Sequence, residues 1–544
     1  MMLYSAQQVK AIADKTEWHR KAIEKAKAEF EIFSKEPILT LPYDAFVAFE
    51  KTGDRPPYDT KYFPRRGWLN KSAILAMVYD DEPKYLEYLQ NIIWAICDEA
   101  SWASPPHFWD AGNLENILTH IDLFAAETGH ALSEINHMLG DRLEPWVKTR
   151  IDFEVRRRII EPFKERKFHW ETCNHNWAAV CAGCVGMAYM YTATREEFDE
   201  IYPRFESAME SFLTGYGEDG CCHEGAGYWN YGFGYYVYYA DLLRKYTDGE
   251  IDLFRNEKVH QIAKFQERFF LTAHRAANFS DCGPGFAFNY GKTSYFKKEY
   301  SDIIVPPYES IGSLDNDNCH RWANPVRSFL WADVNLEFTS KSDKFCYLPD
   351  AQWYIKTTDT YSLAARSGRN DESHNHNDIG SFIFLSGDDA VCDDPGPGKY
   401  DRDYFSEKRY ENIKASSAGH NLPIVDGKYQ IPGDVYGEVI EATEEKFVVE
   451  IARAYGNPKL KSLVRTLASD KTTVTLTDKF ETEGDCPLVE RFVTTIEPVI
   501  EKGLIKVGQG TITGDFDGAT YTRSDELYLI DIPVNCNEFT VVLK

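Results

Sequence analysis

The sequence is short of positive charge. Its 544 residues include 60 Lys and Arg against 86 Asp and Glu, a formal net charge of −26 at pH 7. This excess of negative charge argues against nucleic acid or an anionic membrane as a partner, and against a long polyanion wrapped around the whole surface. A locally basic groove is still compatible with it, and the densest basic run begins with the three arginines at 156–158.

The sequence also lacks a recognisable export signal or membrane span. Residues 1–8 show no basic stretch followed by an apolar one, and no apolar run is long enough to cross a bilayer. Twelve cysteines in such a chain are expected to be reduced thiols. The CxxC from Cys181 to Cys184 has no second CxxC to pair with and lies in an apolar stretch, which favours buried small residues over a metal or redox site. We therefore expect a cytoplasmic protein, with the oligomeric state left open and a homo-oligomer compatible with the sequence.

No strong repeat and no low-complexity segment interrupts the chain, and its length predicts two or three domains. Up to about residue 335, apolar residues recur at helical spacings between short Gly, Pro and Asp breaks. The predicted helical segments are residues 8–35, 71–100, 113–127, 135–160, 177–192, 196–214, 231–245 and 259–273. Many amphipathic helices in succession predict an α/α toroid over residues 1–335.

The pattern changes at about residue 345, where strand-like runs begin. They cover residues 353–357, 381–385, 446–451, 472–476 and 488–493, with turns between them. This alternation predicts an antiparallel β-sandwich over residues 336–544 and a boundary within 330–346. The chain is thus predicted to be an α+β multidomain protein.

Three histidines and a carboxylate lie in the β-rich part. If residues 373–378 form a strand, His374 and His376 point to the same face, so that one can bind a metal while the other does acid/base work. His376, Asp394 and His420 form a ligand set suited to zinc, although their spacing is long for a compact motif. Asp393 competes with Asp394, which is favoured because Asp-Pro-Gly places it at a strand end. The alternative is a group of histidines in polar loops without a metal.

A polar cluster precedes an apolar helix in the first domain. Asn174, His175 and Asn176 stand beside Trp170 and Trp177. Polar side chains in such company are costly in a core unless they have hydrogen-bond partners, which indicates a functional site. The alternative is that Asn174 or Asn176 only caps the helix.

The stretch at 219–232 combines glycines with aromatic residues. The glycines suit tight turns or close backbone approach, and the aromatic rings offer faces for a sugar. Tyrosine can exchange a proton with a reacting centre when a positive group or a metal lowers its pKa. The alternative is an aromatic helix start packed in the core. In the second domain, Arg366 and Arg369 can pair with a carboxylate.

Together these clusters resemble the heparinase II/III family of polysaccharide lyases, which includes heparinases and oligoalginate lyases. The matching segments follow one another in the family's order and span most of residues 100–430. They are NHNW at 174–177, EGAGYWNY at 224–231, HNHND at 374–378, DPG at 394–396, AGHN at 418–421 and VDG at 425–427. The resemblance implies an α/α toroid followed by an antiparallel β-sandwich, in agreement with the periodicity.

The resemblance further implies β-elimination at a uronic acid, which leaves a C4=C5 double bond. Asn174 and His175 are then expected to neutralise the substrate carboxylate. Tyr228 is the expected general acid at O4, ahead of Tyr231, and His374 is the second candidate base. The His/Asp/His set is expected to hold one zinc ion in a largely structural role.

A substrate-binding set also follows from the resemblance and from the clusters. Tyr404 matches a tyrosine upstream of the last histidine, and His107 lies in a loop that can line the groove. The full set is Asn176, Trp177, Glu224, Trp229, Tyr231, Arg366, Arg369, Tyr404 and His107. The expected partner is a uronic-acid oligosaccharide or polysaccharide, of glycosaminoglycan or alginate type.

Three other functions remain open at the level of sequence. A uronyl C5-epimerase would abstract the same proton and return it to the other face. A hydrolase on the same toroid would need two opposed carboxylates, and Glu224 and Asp219 lie too close in sequence to form an obvious pair. A non-catalytic carbohydrate-binding protein would bind sugar without turnover.

Overall fold

Helices form the first part of the chain and strands the second in the computed structural model, which describes residues 3–339 and 344–544. The α-helices are Ala6–Ile12 (α1), Glu17–Phe33 (α2), Tyr43–Phe46 (α3), Ala48–Thr52 (α4), Pro56–Val78 (α5), Pro83–Cys97 (α6), Leu114–Leu118 (α7), Leu123–Leu139 (α8), Pro145–Val155 (α9), Glu161–Glu165 (α10), Asn176–Thr192 (α11), Arg195–Thr214 (α12), Ala226–Tyr228 (α13), Gly234–Tyr246 (α14), Glu257–Phe269 (α15), Tyr290–Glu299 (α16) and Ala323–Trp331 (α17). Two π-helical turns, Arg156–Ile160 and Trp229–Phe233, interrupt the helical regions.

Helix α11 lies inside the helical domain and packs against α8, α12 and α14. Every residue from 178 to 190 is buried, because the helix is built from small and apolar side chains. Gly186 allows close packing, since a Cβ there would come within 2.5 Å of the Tyr239 ring. Cys181 and Cys184 are both fully buried in this helix, as the sequence predicts.

Five predicted helical segments are wrong in extent. Residues 8–35 contain a break between α1 and α2, residues 113–127 contain one between α7 and α8, and the helix predicted at 259–273 ends at Phe269. The remaining two are divided before a proline. Residues 71–100 contain a break, because α5 ends at Val78 and α6 begins at Pro83 after an acidic turn. Residues 135–160 also contain a break, because α8 ends at Leu139, Gly140 takes a positive φ of 54°, and α9 begins at Pro145. In both cases proline begins the second helix, where its missing N–H costs nothing.

The strands of the second part are Lys344–Leu348 (β1), Trp353–Thr357 (β2), Tyr361–Arg366 (β3), Arg369–Asn370 (β4), Phe382–Ser386 (β5), Asp389–Cys392 (β6), Ile424–Val425 (β7), Gly433–Tyr436 (β8), Glu438–Thr443 (β9), Lys446–Glu450 (β10), Leu460–Ser469 (β11), Val474–Thr482 (β12), Leu488–Thr494 (β13), Val499–Glu501 (β14), Leu504–Val507 (β15), Gly510–Gly514 (β16), Thr520–Ser524 (β17), Leu527–Val534 (β18) and Glu538–Leu543 (β19). They form sheets in the orders β1-β2-β3-β5-β6, β14-β15-β16-β19-β12-β11-β10-β9, β17-β18-β13-β7 and β4-β8. Neighbouring strands within these sheets are antiparallel.

The five-stranded sheet is shared between two hydrophobic cores. Trp353 and Ile355 of β2 face the core of the helical domain, whereas Tyr354 between them faces the core of the β domain. Ile383 and Phe384 of β5 divide in the same way. Because successive side chains of a strand point to opposite faces, a strand buried on both faces is apolar throughout. The sheet therefore fixes the β domain against the helices and positions the loops that connect its strands.

The predicted fold class is confirmed, with helices first and antiparallel sheets second. The predicted boundary at 335/336 falls between the end of α17 at Trp331 and the start of β1 at Lys344, while residues 340–343 lie outside the described residues. Within residues 3–339 and 344–544, no helix is both long enough and apolar enough to cross a membrane.

Candidate active site

Tyr228 stands at the contact between the two domains. It ends the short helix α13 and is followed directly by the π-helical turn Trp229–Phe233. Gly225 makes this turn possible, since its φ is +92° and a Cβ would lie 2.6 Å from the carbonyl oxygen of Phe279. The Tyr228 ring stacks on the His374 ring at 4.1 Å between centroids, and its hydroxyl lies 3.1 Å from the hydroxyl of Tyr400. π-turns of this kind are frequent at functional sites.

The Tyr228 hydroxyl keeps its proton in this environment. Burial raises the pKa of Tyr228 well above the ordinary value, although the hydrogen bond with Tyr400 opposes the shift. A protonated phenol beside an imidazole can donate a proton to a leaving oxygen. The resting state of Tyr228 thus suits a general acid.

The structure separates Tyr228 from the other aromatic residues of its segment. Tyr231 donates a hydrogen bond to Glu127 at 2.7 Å, and the guanidinium of Arg321 lies 3.9 Å from its ring centre. Trp229 is 1% exposed, so its predicted contact with substrate is wrong. Its ring packs among core phenylalanines because the π-turn directs it inward, and its indole N–H bonds the Ile262 carbonyl.

The segment 174–177 divides between surface and interior. Asn174 is exposed and His175 is partly exposed, whereas Asn176 is buried. Neither asparagine caps α11, since the N-cap residue is His175 and its side chain makes no capping bond. The buried Glu224 carboxylate instead accepts from the Asn176 main-chain and side-chain nitrogens, at 3.2 to 3.4 Å. Asn176 and Glu224 thus join the two motifs of the helical domain, and their buried contact leaves them to position the site rather than to bind substrate.

His175 lies within the electrostatic influence of both domains. Burial lowers the pKa of His175, with the charge of Glu224 opposing and that of His374 assisting the shift. The imidazole is therefore neutral at neutral pH and can donate one hydrogen bond. Next to it along the chain, the ring of Trp177 contacts the ring of His107 at 4.9 Å between centroids. The Nδ1 of His107 in turn lies 2.6 Å from the buried Asp122 carboxylate.

On the β-domain side, His374 lies in a loop and not in a strand, contrary to the expectation for residues 373–378. The loop connects β4 to β5, and His374 has a φ of +56°, which a strand does not accommodate. Such a backbone conformation is uncommon for a residue with a Cβ and concentrates at functional sites. His374 and His376 therefore do not share a strand face, yet both reach the same carboxylate, that of Asp281.

Asp281 belongs to the helical domain and was missed at the level of sequence. Its carboxylate is fully buried and lies 2.7 Å from Nδ1 of His374 and 3.1 Å from Nε2 of His376. It also accepts hydrogen bonds from the Tyr404 hydroxyl and from Arg409. Burial alone would raise the pKa of Asp281, but the hydrogen bonds and charges of the two histidines hold it well below the ordinary value. The only signal in the sequence is a polar, glycine-rich loop around 278–285.

His376, Asp394 and His420 form a fully buried cluster whose candidate ligand atoms lie within 4.8 Å of one another. Nδ1 of His420 lies 3.2 Å from Oδ2 of Asp394, yet neither atom nor Nδ1 of His376 makes a hydrogen bond within the part of the chain that the structure describes. Three orphaned acceptor-capable atoms converging on one buried point are costly unless a further group satisfies them. A metal ion fits this donor set.

The ring nitrogens that point away from the cluster, Nε2 of His376 and Nε2 of His420, both have partners. Nε2 of His376 meets Asp281, and Nε2 of His420 lies 3.0 Å from the Lys414 carbonyl oxygen. Histidines that bind metals commonly donate their second N–H to a carboxylate or a carbonyl in this way. Asp393 is turned aside, because its carboxylate pairs with Arg275 of the helical domain.

The structure corrects one of the two predicted arginine sites. Arg366 is completely buried and its guanidinium pairs with Glu372 and Asp378, so no face is open to a substrate carboxylate. Arg369 is exposed and pairs with Asp371 and Asp434 on the surface, and its contact with substrate stays a prediction.

Two further groups near Tyr228 were also missed. Tyr400 shares the hydroxyl contact described above, and its ring stacks on that of Tyr404 at 5.3 Å. Arg409 lies over the ring of Tyr404 at 4.2 Å and reaches Asp281. Tyr404 itself is buried, so its contact is with the carboxylate rather than with open solvent. Tyr400 thus adjoins Tyr228, and Tyr404 and Arg409 adjoin Asp281.

The arrangement combines what proton abstraction and leaving-group protonation require. A protonated tyrosine and an imidazole are in contact, and a neutral histidine and an exposed asparagine lie on the adjoining helix start. Hydrogen-bond donors placed at a developing negative charge stabilise it strongly in a site that excludes water. The comparisons with known proteins agree with this architecture.

Residues 341–529 match the family described as Heparinase II/III-like, C-terminal. Over 99% of its length the chain superposes on heparinase III, with a TM-score of 0.62, 10% sequence identity and 91% of that chain covered. For the heparan sulfate lyase HepC of Pedobacter heparinus the TM-score is 0.58 at 10% identity, covering 99% of this chain and 92% of that one. The chondroitin AC lyase of Streptomyces coelicolor A3 gives 0.52 at 10% identity, covering 99% and 79%.

A comparison with curated protein sequences finds no match. The structural likenesses, at such low identity, establish the fold, and the family match covers the β domain. The chain therefore has the fold of these proteins, an α/α toroid followed by a β-sandwich, and its residues 341–529 are similar to the heparinase II/III-like C-terminal family.

Proposed function

We propose that the protein is a lyase that cleaves glycans containing uronic acid by β-elimination. The observation that carries the proposal is the contact between Tyr228 and His374 across the domain interface, at 4.1 Å between ring centroids. Similarity to heparinase III, to a heparan sulfate lyase and to a chondroitin AC lyase supports the same class of reaction.

In the proposed reaction, Asn174 and His175 donate hydrogen bonds to the substrate carboxylate. This interaction stabilises the enolate-like state that forms as the C5 proton leaves. Nε2 of His374 accepts the C5 proton, the C–H electron pair becomes the C4=C5 double bond, and the C4–O4 bond breaks. Tyr228 gives its proton to O4. For the opposite uronate epimer, Tyr228 is the candidate base as well as the acid.

We also propose that His376, Asp394 and His420 hold a zinc ion. The chemistry of the donor set and the three orphaned buried atoms support this choice. The ion would act as a structural centre that neutralises the buried carboxylate and ties together the loops after β4, after β6 and before β7. No proton transfer in the proposed reaction depends on it.

A uronyl C5-epimerase is the second candidate, because Tyr228 and His374 can act as two acid/base groups at the same carbon. An epimerase returns the proton to C5 and leaves O4 bonded, so its product has no double bond. The protonated Tyr228 favours the lyase, since the hydroxyl is ready to protonate a leaving oxygen.

The test is ultraviolet absorbance with time on heparan sulfate, chondroitin sulfate, hyaluronan and alginate oligosaccharides. We expect absorbance to rise with the wild type on at least one substrate, and the rate to fall by about 10²–10⁴ in Tyr228→Phe. Tyr231→Phe is the matched control, because Tyr231 lies in the same segment but faces Glu127. No rise on any substrate, with hydrogen exchange at C5 detected instead, would replace the lyase by the epimerase.

A further inference from the structure

Asp281 is the one carboxylate that touches both the candidate base and the candidate metal cluster among the described residues. It lies in the loop between α15 and α16 of the helical domain, whereas its partners all lie between residues 374 and 409 of the β domain. The Asp281 side chain is 0% exposed. Four donors therefore converge on a carboxylate that is sealed from water.

We propose that Asp281 is a positioning residue for the reaction, which holds the His374 ring with Nδ1 toward the carboxylate and Nε2 toward the cleft. The proposal rests on the proposed lyase function, because it assigns the orientation of that reaction's base. It adds a role to a residue that belongs to neither the candidate proton-transfer pair nor the metal cluster.

The Asp281 carboxylate determines which ring nitrogen of His374 carries the proton. An ionised carboxylate only accepts hydrogen bonds, so a neutral His374 must carry its proton on Nδ1 to bond Asp281 at 2.7 Å. Nε2 then bears the lone pair and is free to act as the base. The stacked Tyr228 ring restricts rotation of the imidazole from the other side. Orientation and tautomer are thus set together.

The same carboxylate links this ring to the metal cluster. His376 directs Nδ1 into the cluster and Nε2 to Asp281, so a ligand role for Nδ1 requires the proton to be on Nε2. The two oxygens of Asp281 then accept one N–H from each histidine. Tyr404 and Arg409 donate further hydrogen bonds to these oxygens and keep the carboxylate in place.

Asp281→Asn tests the proposal because it preserves shape and removes one acceptor. His374 and His376 meet different oxygens of Asp281, and asparagine replaces one of these oxygens by an NH₂ group, so one of the two imidazoles faces a donor instead of an acceptor. We expect kcat to fall by about 10²–10⁴, with KM changed by less than about threefold, since the substrate contacts are intact. A variant in which only KM changes, with kcat as in the wild type, would overturn the proposal.

Asp393→Asn is the matched control. Asp393, like Asp281, is a buried carboxylate that pairs with a residue of the other domain, here Arg275. It lies in the β domain and adjoins a candidate metal ligand without touching His374. We expect both variants to lose thermal stability, but only Asp281→Asn to lose kcat. Equal losses of kcat in the two variants would show that Asp281 acts only through general stability.

Two measurements separate this inference from the proposed function and from misfolding. In a His374→Ala background, Asp281→Asn should cause no further loss of kcat, because its effect passes through the histidine. ¹⁵N spectra of histidine-labelled wild type, assigned by the signal lost in His374→Ala, should show the Nδ1–H tautomer even if Asp281→Asn does not fold. An Nε2–H tautomer would overturn the inference, whereas failure of the proposed function would appear as a wild type without lyase activity.

Discussion

The two faces of the domain interface are built differently. On the helical side, backbone structure places both His175 and Tyr228. His175 precedes the first residue of α11, and Tyr228 precedes the π-turn, whose first residue, Trp229, is buried in the core. On the β-domain side, His374 lies in a loop with a left-handed backbone and is held by side-chain contacts to Asp281.

Different forces therefore hold the two halves of the site. Packing and helix geometry hold the tyrosine, so its position should survive changes in metal content. Buried polar contacts hold the histidine, and partly satisfied polar networks lose their order when one member is removed. The chemistry requires both faces to meet, and the following predictions test whether the two are supported independently.

The largest effect is expected for His374→Ala. The variant removes the group that faces Tyr228 from the β-domain side and one donor to the buried Asp281 carboxylate, so we expect kcat to fall by about 10²–10⁴ and the free energy of unfolding to fall by about 1–3 kcal/mol. Steady-state kinetics and a thermal melt measure the two quantities on the same preparation. A loss of activity that matched a loss of folded protein would contradict the separation between chemistry and support.

Trp229→Ala tests the packing that supports the helical side. The indole is almost fully buried among core aromatic residues, so its removal should lower the free energy of unfolding by about 3–5 kcal/mol. Chemical denaturation followed by circular dichroism measures this change. Zinc content should stay the same, and a loss of zinc in this variant would break the proposed independence of the two faces.

His420→Ala tests the support of the β-domain side. Removing one of three candidate ligands should weaken zinc binding by about 100-fold or more, since changes in the surrounding shell alone cost 10- to 100-fold. Elemental analysis after dialysis against a chelator measures the retained metal. Lys414→Met, which alters the side chain of the residue whose carbonyl meets His420, should keep the metal. If neither wild type nor variant binds zinc, the metal proposal fails.

The smallest effect is expected for Glu127→Gln on the helical side. Burial raises the pKa of Glu127 to about 7, against the opposing charge of Arg321. The pKa of Glu127 is thus higher in the folded protein than in the unfolded chain, where it is near 4.5. Its contribution to the free energy of unfolding is complete below pH 4.5 and is lost as the pH rises through about 7. Between pH 5 and pH 8 the free energy of unfolding of the wild type should therefore fall by about 2 kcal/mol more than that of the variant. Chemical denaturation at both pH values measures this change. An equal fall in the free energy of unfolding for wild type and variant would contradict the prediction.

Much of the fold could be predicted from the sequence. Helical spacing of apolar residues and the later change to strand-like runs indicated the order of the two parts, since these periodicities record which face of each element is buried. The extents were less secure. The helix predicted at 71–100 is divided by the acidic turn before Pro83. The segment 373–378 forms a loop and not a strand, in keeping with its polar composition.

The residue types that carry the chemistry could also be identified from the sequence, because His374, His376 and their neighbours form short motifs whose members are adjacent in the chain. Which of Tyr228, Trp229 and Tyr231 faces the interface depends on the three-dimensional fold, because a π-turn changes the direction of each side chain. It alone brought Asp281 to His374, which lies 93 residues further along the chain. Local periodicity records burial of a face, whereas contact between distant loops depends on how the two domains pack.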